Sequence, residues 1–161
     1  MLSRILPKQI DNTYRGYRLA IWLLVPIVLV NMIMGANTMI NTRDVIQGAD
    51  RIPLDAYGVT PARIIVNCFK SWGLGHFLMA SFGLLALVRY RAMVPLMYLV
   101  FTLENGARKA LQHTNPLHIT TSSGAPMIGA RINLALFTAL LIGLVLSLGG
   151  SKEREGSPPG T

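Results

Sequence analysis

An acid, an amide and a base lie close together at the end of an apolar segment of the chain. Glu104 and Asn105 follow the hydrophobic run 92–103, and Arg108 comes four residues after the acid. Residues four apart share one face of an α-helix, and an acid placed before a base is the favourable order for an ion pair. Because an ionised carboxylate is costly in hydrocarbon, we expect Glu104 to face a helix bundle and to find a partner there.

The segments that must position these residues have the length and composition of membrane helices. The 161-residue chain is 52% hydrophobic and 14% charged, whereas soluble domains are about 25% charged. Roughly 20 residues of helix cross the hydrocarbon of a bilayer. We therefore predict an all-α membrane protein, a four-transmembrane-helix bundle with helices at about 18–38, 64–88, 92–111 and 129–149. The third helix is long enough only if it continues through the charges that follow residue 103.

The predicted organisation is a four-helix domain over residues 17–150 with short polar ends. Residues 1–16 are predicted as a cytoplasmic or interfacial segment, and the Pro- and Gly-rich residues 151–161 as a disordered cytoplasmic tail. Four bases precede the first helix and two follow it directly, which favours cytoplasmic termini, although the whole-chain division of eight inner and seven outer bases is less decisive. We therefore expect a multi-pass membrane protein.

Counting along the helices predicts a polar layer in the outer half of the bundle. Asn31, His76 and Glu104 each lie thirteen residues from an arginine at the inner boundary, or roughly 20 Å at ~1.5 Å per residue. Lys70 and His76, on the second helix, are the candidate partners of Glu104 across the bundle. Asn31 and Asn105 are expected to form interhelical hydrogen bonds. The candidate ligand or ion-pair cluster comprises Glu104, Arg108, Lys70, His76, Asn31 and Asn105.

Two interpretations of this cluster stay open. In the first, Glu104, Arg108 and Lys70 form a purely structural set of ion pairs, while other bases extend to the lipid headgroups. In the second, the cluster is a ligand or ion site, because ionisable residues inside membrane segments commonly mark function.

Small residues indicate where helices approach each other. On the fourth helix they recur at every fourth position, and Ser71 and Gly75 give a shorter version on the second helix. Such patterns let helix backbones pack closely in lipid. We expect packing within the bundle, with a homodimer face as the alternative. The series on the fourth helix is Ala135, Ala139, Gly143 and Ser147.

Several classes of chemistry lack their signatures in this sequence. Cys68 is the single cysteine, so one chain can form neither a dithiol centre nor a cysteine-rich metal site. His113 and His118 are five apart, a spacing that imposes no metal geometry. No nucleotide-binding, serine-nucleophile or HExxH motif is present. The net charge is +8, but the basic residues flank the predicted helices and do not form the continuous stripe that is typical of nucleic-acid-binding proteins. We predict no metal site, no catalytic residue and no nucleic-acid partner, and we assign no cofactor.

The long first outer loop carrying Ile52-Pro-Leu-Asp55 and the tight basic turn Arg89-Tyr-Arg91 accompany four hydrophobic helices. In this architecture residues 17–148 resemble the DoxX-like group of small bacterial inner-membrane proteins. Gly35 and the region of Pro53 fit the general pattern of that group, whereas the segment Glu104–Arg108 is not part of it. The resemblance implies a four-helix inner-membrane fold, and some members of the group are subunits of membrane oxidoreductases. It implies no catalytic residue.

These observations favour a small integral membrane protein that binds a small ligand or lipid, or that serves as an accessory subunit, rather than an enzyme. Its expected partners are the lipid bilayer and either another membrane protein or a second copy of the chain. A small transporter or proton-coupled carrier using Glu104 and His76 is the alternative. An enzyme acting on a quinone or a lipid is a weaker alternative.

Overall fold

The computed structural model describes residues 16–114 and 128–149, together with Ile5, Asn12 and Tyr14. This part of the chain is helical and contains no strand. The predicted tail 151–161, His118 and most of the predicted N-terminal segment 1–16 lie outside the described residues. The four long helices are α1 (Arg18–Ile40), α2 (Val59–Val88), α3 (Val94–Thr114) and α4 (Ile128–Leu148).

Three of these helices are long and apolar enough to cross a membrane. Their spans are Arg18–Ile40, Val59–Val88 and Arg131–Leu148, with mean hydropathies of 2.3, 1.5 and 2.0. The helix α3 is long enough but does not meet the same criterion of apolarity, because Glu104, Arg108 and Lys109 lie within it. A fourth membrane crossing by α3 therefore stays a prediction.

Local sequence explains where α2 and α3 begin. The helix α2 starts at Val59, earlier than predicted, because Pro61 lies in its first turn, where a missing N–H removes no helical hydrogen bond. A short 3-10 turn, Arg91–Met93, precedes α3. Pro95 is then the second residue of α3 and again falls in a first turn.

The described chain ends meet at one end of the bundle. The backbone N–H of Tyr17 donates to the carbonyl of Leu146 at 3.3 Å, and Gly149 packs against the ring of Tyr17. We call this the terminal end, and the opposite end, where α1 finishes and α2 begins, the loop end. The main core fills the space between the helices, and its buried members are Ala20, Leu24, Ile27, Val28, Ala86, Leu87, Val94, Met97, Tyr98, Phe101 and Leu140.

The helices α1 and α2 come closest at a pair of glycines. A Cβ atom added to Gly35 would lie 2.7 Å from the backbone nitrogen of Phe77, and one added to Gly73 would lie 3.0 Å from the carbonyl oxygen of Gly35. Ser71 and Gly75, for which we predict packing within the bundle with a homodimer face as the alternative, do not form this contact. Both are exposed, and a Cβ atom on Gly75 would meet nothing within 4 Å, so the contacting face of α2 is the one that carries Gly73.

The predicted series of small residues on α4 faces the bundle only over its second half. Gly143 and Ser147 are buried, whereas Ala135 is exposed. A Cβ atom on Gly143 would collide with the ring of Tyr98. The Tyr98 hydroxyl donates to the carbonyl of Ala20 at 2.7 Å, so this one side chain joins α3 to α1 while it packs against α4.

The connection between α1 and α2 has a small core of its own. It contains the short helical segments Thr42–Asp44, Val45–Ala49 and Leu54–Ala56. Arg51 adopts a left-handed conformation, with φ of 56°, between the last two. A second apolar cluster, separate from the main core, attaches this connection to the first turns of α2, and its buried members are Ile46, Leu54 and Ala62.

The glycine contact predicts a matched pair of substitutions on α1 and α2. Gly35→Ala should lower the free energy of unfolding by about 1–3 kcal/mol, because its new methyl group meets backbone atoms that no side-chain rotation can move. Gly75→Ala should be neutral or slightly stabilising, because its methyl group enters open space and alanine favours helix. Thermal unfolding in one detergent measures both, and equal melting temperatures for the two variants would contradict the assigned contact.

Candidate functional site

The acid and the base singled out in the sequence form an ion pair along α3. A terminal nitrogen of Arg108 donates to Oε1 of Glu104, one helical turn earlier. Asn105 donates through Nδ2 to the other carboxylate oxygen at 3.2 Å and to the carbonyl of Phe101 at 3.0 Å. Both carboxylate oxygens therefore have a hydrogen-bond donor on the same helix, which offsets part of the cost of keeping the charge away from water.

A second hydrogen bond connects α1 to α2. The Nε2 atom of His76 lies 2.6 Å from Oδ1 of Asn31, and the amide nitrogen of Asn31 donates to the carbonyl of Ile27 at 2.7 Å. Because that carbonyl requires a donor, the amide oxygen must be the group that faces histidine. The hydrogen-bond network therefore assigns the neutral His76 ring its proton on Nε2 and leaves Nδ1 as an acceptor.

The Nδ1 atom of His76 connects the two parts of the site. It lies 3.4 Å from a terminal nitrogen of Arg108 and 3.9 Å from Oε1 of Glu104. In the neutral ring it can accept a hydrogen bond from the guanidinium. In the protonated ring it would instead point a proton towards the carboxylate. We call Asn31, His76, Glu104, Asn105 and Arg108 the polar cluster.

An aromatic side chain that the sequence analysis did not single out completes the surroundings of Arg108. The guanidinium carbon lies 4.8 Å from the centroid of the Trp72 ring, a cation–π distance. The same ring lies 6.0 Å from that of His76, one turn further along α2, and contacts Phe69 edge-on at 5.7 Å. The four-residue spacing between Trp72 and His76 is the feature of the sequence that could have identified Trp72 as part of the site. It indicates a shared helix face but not which helix packs against that face.

Lys70 is the predicted site residue that lies apart from the polar cluster. Its side chain is exposed on α2, and neither described ion pair of Glu104 involves it. Six residues separate it from His76, which places the two about 120° apart around the helix. The rotation that brings His76 to Glu104 therefore turns Lys70 away. Of the two predicted partners on α2, His76 is the one that contacts Glu104 among the described residues.

Depth counting along the helices placed Asn31, His76 and Glu104 at one level, and the structure brings these three side chains together. Asn31 and Asn105 are buried, at 2% and 5% relative exposure. The side chains of His76, Arg108 and Glu104 retain 12%, 20% and 31% exposure. The cluster is thus enclosed on the α1 side and more exposed near the carboxylate.

The arrangement of the polar cluster is suited to hydrogen bonding. Among the described residues, no group of three or more His, Cys, Asp or Glu side chains could hold a metal ion. The carboxylate already accepts hydrogen bonds at both oxygens, and the guanidinium keeps nitrogens that no other described side chain occupies. The groups that remain available are therefore donors on Arg108, beside the indole face of Trp72.

Comparison with known proteins adds no identification. No family model, no curated protein and no solved structure matches this chain.

The geometry predicts different contributions to stability for Glu104 and Lys70, which the sequence analysis assigns to one cluster. Glu104→Gln should lower the free energy of unfolding by about 1–3 kcal/mol, since it leaves the partly buried guanidinium of Arg108 without its anion. Lys70→Gln should change it by less than about 0.5 kcal/mol, because the lysine is exposed. Thermal unfolding followed by tryptophan fluorescence measures both. A larger effect at Lys70 would contradict the assignment.

Proposed function

We propose that this protein is a multi-pass four-helix protein of the bacterial inner membrane that binds a small amphipathic ligand, as a binding protein or as an accessory subunit of a membrane complex. Three helices with the length and hydropathy of membrane spans support the location. Cytoplasmic termini and a fourth crossing by α3 belong to the same proposal. The even number of long helices supports them, since the described chain ends lie together.

The single observation that carries the binding proposal is the partly exposed Glu104–Arg108 pair beside Trp72. A purely structural ion pair requires no free donors and no aromatic surface. Here the guanidinium keeps unused N–H groups, and the Trp72 residue is 40% exposed. A ligand with a hydrogen-bond acceptor such as a carbonyl oxygen, attached to an apolar or ring-shaped body, would use both features.

Binding can be tested by native mass spectrometry of the protein extracted in a mild detergent. We expect an adduct above the 17.6 kDa chain mass that weakens at least tenfold in Arg108→Lys. That variant keeps the charge but loses the planar fork of donors that binds an oxygen acceptor and stacks on an indole ring.

Lys70→Gln is the matched control, because Lys70 is an exposed base on the neighbouring helix, and it should retain the adduct. A chain that carries no adduct, or an adduct that both variants keep, would contradict the binding proposal.

The position of His76 favours one second candidate, a proton-coupled carrier. Its Nδ1 atom lies beside the ion pair, 3.4 Å from a donor nitrogen of Arg108 and 3.9 Å from a carboxylate oxygen of Glu104. Protonation at Nδ1 would therefore exchange a contact with the guanidinium for a contact with the carboxylate. A carrier needs such a group with two alternative partners, because proton binding must change the packing of the helices.

The carrier candidate predicts proton flux in liposomes that contain only this protein. With an imposed pH difference, wild-type protein should acidify the lumen faster than empty liposomes do. Glu104→Gln should abolish the difference, because it removes the negative charge that stabilises a proton on Nδ1, and Lys70→Gln should preserve it. Equal fluxes from wild-type and Glu104→Gln liposomes would eliminate the carrier and leave the binding proposal intact.

A further inference from the structure

A cavity lies at the terminal end of the bundle, far from the polar cluster. Its volume is about 450 Å³, and it opens between the start of α1 and the turn that precedes α3. Arg91 begins that turn, thirteen residues before Glu104, which separates the cavity from the cluster by roughly 20 Å along α3. The lining residues are Asn12, Tyr14, Gly16, Arg18, Ile21 and Arg91.

Two arginines face this cavity without a described counter-charge. Arg18 is the first residue of α1, and Arg91 donates through Nε to the carbonyl of Leu87 at 3.3 Å. That bond attaches its guanidinium to the end of α2. Within the described residues, both ion pairs involve Glu104 and neither involves these arginines. Among the described residues that line the cavity none is acidic, so the two arginines contribute positive charge to it without a described carboxylate to neutralise them.

The start of α1 adds to the positive potential of the cavity. Its first turn contains no acidic residue, and no side chain caps it. The first backbone N–H groups of a helix have no partner within the helix, and they carry the positive end of its dipole. Guanidinium groups next to a helix N-terminus form the combination of donors that binds phosphate in proteins.

Tyr14 lines the same cavity and is a third candidate contact for a ligand there. Its hydroxyl is buried and is the one buried side-chain polar atom that has no hydrogen-bond partner among the described residues. Burial raises the pKa of Tyr14 to about 12, so the hydroxyl stays protonated at neutral pH and can donate. Buried polar groups normally have partners, and an exception calls for a ligand or an ordered water.

We propose that the cavity at the terminal end binds a phosphate group through Arg18 and Arg91, with the Tyr14 hydroxyl as a neutral donor. The phosphate can belong to a phospholipid headgroup or to a free phosphate compound. The site is independent of the polar cluster and of the binding proposal made for it, since the two share no residue. A phosphate here would fasten the start of α1 to the turn between α2 and α3.

The test uses the purified full chain in a neutral detergent, with phosphatidylglycerol, phosphatidylcholine and inorganic phosphate as separate probes. Binding is read as the rise in melting temperature with probe concentration and as adduct mass in native mass spectrometry. Arg18→Gln and Arg91→Gln should each weaken binding about tenfold, as expected for the loss of one charged hydrogen-bond donor. Arg63→Gln, an exposed base on α2, is the matched control and should leave the affinity unchanged.

The probes distinguish the source of the phosphate. Arginine-dependent binding of either phospholipid, without an effect of inorganic phosphate at millimolar concentration, identifies a headgroup site. Arginine-dependent stabilisation by inorganic phosphate alone identifies a site for a free phosphate compound. Binding that falls equally in Arg63→Gln and the two cavity variants, or no binding of any probe, would overturn the proposal.

A further variant separates binding from folding. Tyr14→Phe removes a hydroxyl that has no described partner, so the melting temperature without phosphate should stay the same or rise. Its affinity for the bound probe should fall several-fold. A variant that melts earlier without phosphate and binds as tightly as the wild type would exclude the hydroxyl from the site.

Discussion

The close approach of α1 and α2 at Gly35 and Gly73 is the constraint on which the polar cluster depends. Asn31 lies one turn before Gly35 on α1, and His76 lies one turn after Gly73 on α2. Helix axes that approach backbone to backbone bring short side chains in the next turn within hydrogen-bond range. The 2.6 Å contact between Asn31 and His76 is therefore a consequence of two residues that have no side chain. Larger residues at these positions would separate the helices by more than an asparagine can reach.

The connection of the polar cluster across three helices follows from the same packing. Once His76 is fixed by Asn31, its second ring nitrogen meets the Glu104–Arg108 pair, so the hydrogen bonds run from α1 through α2 to α3. In a low-dielectric interior each hydrogen bond of such a chain is strengthened. Asn31 uses both its amide nitrogen and its amide oxygen, and Asn105 donates two hydrogen bonds through its amide nitrogen. The guanidinium keeps nitrogens that no described side chain occupies, and it lies beside the partly exposed Trp72.

Hydropathy and spacing predict the parts of this structure that depend on one helix at a time. The helical class follows from segment length, and the Glu104–Arg108 pair follows from the four-residue interval. Counting residues from the inner boundary also predicts that His76 lies at the same depth as Asn31 and Glu104. The direction in which a side chain points cannot be predicted in this way, because it depends on how the helices rotate against each other when they pack. Lys70 was assigned to the cluster and Trp72 was not, since a sequence specifies the angle between two residues on a helix but not the direction in which either points.

The small core under the connection between α1 and α2 has a consequence for how the molecule moves. Three buried apolar residues hold this segment, whereas eleven form the main core between the helices. Stability is not uniform within a protein, and a unit with few buried contacts opens at a lower free energy than the whole. Backbone amides of the connection should exchange with solvent deuterium through local opening. Amides in the buried halves of α1 and α2 should exchange only through global unfolding. We therefore expect the loop end to open as a cooperative unit of its own while the bundle stays folded.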